Sequence, residues 1–136
     1  MPLKHDPADL LTDIIDNARR INKYVAGLDE EAFAGSEQAI DSVERCLERI
    51  CEAVHRLGDQ AASLLPGQPL RRIRGMGNFL RHGYDGVNIG VVWSTVRDDL
   101  PGLVSVAGWA LAKLQAGQSS SGTALRWKGR KCARLK

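Results

Sequence analysis

The stretch that decides the fold is Ile73–Leu103, IRGMGNFLRHGYDGVNIGVVWSTVRDDLPGL. Ile73, Met76, Phe79 and Leu80 recur at three- and four-residue spacing, so they give an apolar face to a helix predicted from Leu70 to about His82. Gly75 and Gly77 weaken that helix, each by about 1 kcal/mol relative to alanine. Two glycines two apart inside a helix call for a reason. Gly83-Tyr84-Asp85-Gly86 ends the element. A longer helix follows, from about Asn88 to Leu114, its buried side marked by Ile89, Val92, Trp93, Val96, Leu100, Leu103, Val106, Ala107, Ala110, Leu111 and Leu114. Pro101 is expected to kink or divide it, with Asp98 or Asp99 as a new cap.

Upstream, Asp6-Pro7-Ala8-Asp9 supplies an N-cap, a proline at the first helical position and an acid in the first turn. Leu10, Leu11, Ile14, Ile15, Ala18, Ile21 and Val25 then form a helical stripe that Gly27 stops. The acidic run Leu28–Gly35 has room for one short turn of helix. Ser36 caps a second long helix, whose stripe is Ala39, Ile40, Val43, Leu47, Ile50, Val54 and Leu57. Pro66-Gly67-Gln68-Pro69 is a connection. No strand-like alternation appears. The expected fold is all-α: an antiparallel four-helix bundle with an extra short helix and no sheet. Residues 1–115 form the bundle. The helical pattern is expected to fail from Ala116, leaving 116–136 as a basic linker and tail that is disordered or weakly ordered.

A chain of 136 residues fits one domain. It has no apolar run long enough for a membrane span and no signal-peptide pattern, and Cys46 and Cys51 are poorly spaced to bridge. Those features fit a reduced, cytoplasmic protein. Three histidines and three cysteines are too scattered for metal-ligand spacing, and no Walker loop or nucleotide-binding glycine fingerprint occurs. Neither a cofactor nor a metal is expected. Residues 1–99 carry 12 Lys/Arg against 16 acids, whereas residues 100–136 carry 7 Lys/Arg and no acid. A second acid-free stretch, Gln60–Tyr84, holds Arg71, Arg72, Arg74 and Arg81. A polyanion would meet the chain at these two places.

The segment around His82 resembles the HEPN superfamily, specifically the HepT-like toxins of bacterial and archaeal toxin–antitoxin pairs. That family carries Arg-X4-His-X-Tyr, written out as G-M-R-N-x-L-x-H-x-Y, then V-W-x-T-V-x-x-D-L-P-x-L. Gly75, Met76, Asn78, Leu80, His82, Gly83 and Tyr84 match, as do Val92-Trp93, Thr95-Val96, Asp99-Leu100-Pro101 and Leu103. Glu52-Ala53 matches an E-A signature. The resemblance covers about residues 7–114. It implies a HEPN-like bundle, a metal-independent endoribonuclease acting on RNA, a homodimer with two copies of the motif in one cleft, and a minimal nucleotidyltransferase antitoxin as partner. His82 would be the general acid/base; Asn78 either orients the site with it or is a helix-surface amide. Arg71, Arg72, Arg74 and Arg81 would contact RNA, and Tyr84 would be the tyrosine that receives AMP.

One departure stands against these matches: Gly77 occupies the position of the family arginine. That arginine would hold the phosphate and offset its developing charge. Arg74 lies eight residues before His82, ~80° round and ~12 Å along the helix, one turn too early. Arg81 adjoins His82 but points about 100° away. Glycine is expected to fit at 77 without clash, so that weak activity and toxicity would come from the missing arginine and not from misfolding; Gly77→Arg is expected to restore both and to stabilise the helix slightly. The alternative implied by the missing arginine is a non-catalytic HEPN module that serves as partner and AMPylation substrate of the nucleotidyltransferase.

Overall fold

The helices that start at Pro7, Glu30, Glu37 and Ile89 each begin where a side chain satisfies a free N–H group. In the computed structural model, which describes residues 6–82 and 88–118, α1 (Pro7–Val25) starts with Asp6 accepting a bond from the Ala8 amide at 3.1 Å and Pro7 at the first helical position. Asp29 accepts from the Ala32 amide at 2.8 Å and opens the short α2 (Glu30–Ala34). Ser36 accepts from the Ala39 amide at 3.1 Å and opens α3 (Glu37–Leu57). After α3 the chain turns at Gly58, whose φ of 60° favours glycine. Next come α4 (Gln60–Leu64), α5 (Leu70–His82) and α6 (Ile89–Ser94), the last capped by Asn88. A π turn, Thr95–Asp99, leads directly into α7 (Leu100–Gln118). Among the described residues there is no strand.

Packing follows the stripes. α1 lies along α3, α7 packs on α1, and α5 packs on α3. Leu11, Ile14, Ile21, Phe33, Leu47, Ile50 and Leu103 are fully buried in one core. Burying each such side chain contributes roughly 1.5–3 kcal/mol. Arg74 bonds Gly58, and Gly77 lies against Cys51, so α5 runs antiparallel to α3. Trp93 is half-buried with its ring 5.2 Å from that of Phe33.

Four expectations are corrected. Pro101 does not divide the last helix, and neither Asp98 nor Asp99 caps a new one. The helix takes one wide turn instead, with the Leu100 amide bonding the Thr95 carbonyl five residues back, and α7 continues through the proline. The helix also passes Ala116 and runs to Gln118, the last described residue, so the helical pattern does not fail at Ala116. Phe79 is 40% exposed and is not part of the buried face of α5. Finally, α4 adds a short helix that no periodicity announces.

Candidate functional site

The motif lies on α5, and two arginines fasten that helix at its first turns. Arg72 donates to Asp99 at 2.7 Å, joining α5 to the π turn; the Asp99 side chain is only 15% exposed. Arg74 donates to the Gly58 carbonyl at 3.0 Å, joining α5 to the end of α3. Its Nε is buried and has no hydrogen-bond partner among the described residues. Both side chains named above as RNA contacts are therefore engaged within the fold. Arg71 is exposed and makes no ion pair among the described residues. Asn78 is exposed one turn before His82, the last residue of α5. The side chains of Arg81 and His82, and the whole of Tyr84, lie outside the described residues.

The two glycines of α5 have different meanings. Gly75 is exposed, and a Cβ there would meet nothing within 4 Å. Gly77 is buried, and a Cβ there would lie 2.6 Å from Cys51 Cβ and 3.5 Å from its Sγ. Contact at 2.6 Å is far inside van der Waals separation, so α5 and α3 approach this closely only because residue 77 has no side chain. Glycine fits at 77, but the expectation that Gly77→Arg slightly stabilises the helix does not hold, because any side chain there begins inside the contact with Cys51.

A second feature is an open groove of about 440 Å³ between α1 and α3, lined in part by Asp13, Asn17, Arg45, Glu48 and Arg49. Asn17 is 8% exposed; its Nδ2 donates to the Asp13 carbonyl at 2.8 Å, and its Oδ1 is buried with no hydrogen-bond partner among the described residues. The sequence carries the signal for it, because Asn17 falls within the apolar spacing of Ile14, Ala18 and Ile21. Burial, reinforced by the charges of Asp41 and Glu48, raises the carboxyl pKa of Glu44. Burial also raises that of the Cys46 thiol, against the opposing pull of Arg49 and Arg20. Cys46 and Cys51 are both buried. Among the described residues no group of three or more His, Cys, Asp or Glu is placed to hold a metal ion, and no helix is long and apolar enough to cross a membrane.

Residues 14–107, which contain α5 and the π turn, match the family model described as Ribonuclease HepT-like. The chain is 32% identical over 101 residues to the "Probable ribonuclease HepT" of Thermococcus cleftensis, covering 74% of this chain and 92% of that protein. It is 32% identical over 98 residues to "Putative RNase MJ0125" of Methanocaldococcus jannaschii, covering 72% and 84%. It is also 28% identical over 98 residues to "Putative RNase MJ1380" of the same organism, covering 72% and 90%. No solved structure matches.

Proposed function

The chain belongs to the HepT-like ribonuclease family, and from that premise we propose that it binds RNA as the toxin half of a toxin–antitoxin pair, with cleavage suppressed by Gly77. The observation that carries this reading is the end of α5, where exposed Asn78 is followed one turn later by His82 inside the matched segment. His82 would take the proton from a ribose 2′-OH. The 2′-oxygen would attack the adjacent phosphorus, and the 5′-oxygen would leave with a proton supplied by the second copy's histidine in a homodimer. No metal takes part in this scheme. The absent arginine removes the charge-offsetting half of the machinery, a loss of ~10²–10³ in rate for one such donor. Purified protein should bind RNA and cut it slowly, and His82→Ala should abolish the cutting. Cleavage unchanged in His82→Ala, or no RNA binding at all, would overturn the reading.

The contact of Gly77 with Cys51 favours a second reading. In it, the chain is a non-catalytic partner of a minimal nucleotidyltransferase and accepts AMP on Tyr84. The phenol oxygen would attack the α-phosphorus of ATP and pyrophosphate would leave. The added phosphate would place negative charge two residues from His82 and repel RNA. Intact mass after incubation with that enzyme, ATP and magnesium should rise by one AMP. An unchanged mass, or a rise that persists in Tyr84→Phe, would refute it.

A further inference from the structure

We infer that Cys51 is a positioning residue of the motif: its Cβ sets how close α3 comes to α5, and so decides whether position 77 can carry a side chain that serves cleavage. The inference rests on the ribonuclease reading of position 77 given above. The contact at 2.6 Å is between Cβ positions. A Cβ has no rotamer freedom, since it is fixed by its own backbone. Only separation of the two helices relieves such a contact. α5 is not free to give way. Ile73, Met76 and Leu80 bury its inner side, Arg72 ties it to Asp99, and Arg74 ties it to Gly58. An interior packed this densely resists added volume. An arginine at 77 would therefore begin inside the α3–α5 contact and displace α5, the helix that carries Asn78 and ends at His82. Placing an arginine at 77 is thus a matter of two residues, because the Cβ of Cys51 occupies the space where that side chain must begin.

The first test uses the smallest probe. Gly77→Ala should lower the melting temperature by several degrees, although alanine is the better helix former. In a Cys51→Gly background the same change should raise it. Equal shifts in both backgrounds would overturn the inference. The second test reads chemistry. Gly77→Arg alone should leave RNA cleavage at the level of the starting chain or fail to fold. Cys51→Gly with Gly77→Arg should gain cleavage of about 10²–10³-fold, and that gain should vanish on adding His82→Ala. If Gly77→Arg alone cuts as fast as the double variant, Cys51 has no positioning role. A folded double variant that shows the expected melting order but does not cut would count against the ribonuclease reading of position 77, and would leave the steric pairing of 51 and 77 standing.

Discussion

At Glu44 burial raises the carboxyl pKa, and Asp41 and Glu48 add to the rise from one turn away on either side. A carboxyl raised in the folded state binds its proton more tightly there than in the unfolded chain. Its contribution therefore favours the fold at low pH and turns against it as pH rises through the ordinary carboxylate range and above. Glu44→Gln removes that penalty. The variant should melt higher than the starting chain at pH 7, and the difference should shrink to nothing as pH falls to about 3. Thermal melts across that range check it; an equal difference at both ends would show that the gain is not electrostatic. The neighbouring Cys46 thiol is raised by the same cause, burial, and so stays neutral.

At the scale of elements, α5 is held by bonds that no local pattern announces. Arg72 and Asp99 are 27 residues apart, and the π turn lies between α6 and α7 where it presents Asp99 to α5. Arg72→Ala and Asp99→Ala should each destabilise the protein by about 1 kcal/mol, and the double variant should cost less than the sum of the two. Denaturant melts of the four proteins give the coupling; strict additivity would mean the bond contributes nothing. The long helices could be read directly, because Asp6, Ser36 and Gly27 are local signals and the apolar stripes repeat at helical spacing. α4 could not, since Ala61 is its only buried residue. The π turn was hidden for a related reason: Pro101 signals a break, whereas the chain absorbs it by bonding Leu100 to Thr95. The motif was legible from residue identity alone. That Arg72 and Arg74 serve the fold, and that Gly77 lies against Cys51, depends on how α5 meets its neighbours, and spacing along one helix carries no information about that.

For the molecule as a whole, charge is split along the chain. The last acid is Asp99, and residues 126–136 hold six basic residues in eleven. Cutting the chain after Gln118 keeps all of α7 and removes that charge. The truncated protein should melt as the full chain does, while its RNA affinity should fall less steeply with salt, because fewer counterions are released. Melting curves and binding across a salt series check both parts; an unfolded truncation or an unchanged slope would contradict them. The homodimer of the proposed cleft should give about 30 kDa by light scattering, twice the 14.8 kDa of one chain. A monomer at micromolar concentration would remove the second histidine from the mechanism.

The approach of Gly77 to Cys51 also bears on descent. Glycine and arginine codons differ by a single base, so in the genetic code the way back from Gly77 is one mutation long. In the folded chain it is longer, because the returning arginine meets Cys51 before it can meet a phosphate. An arginine at 77 would need a change at residue 51 that opens the α3–α5 contact to come before it or with it. Reversion is then a valley to cross rather than a step to retrace, and selection on such a chain acts on whatever the bundle still binds.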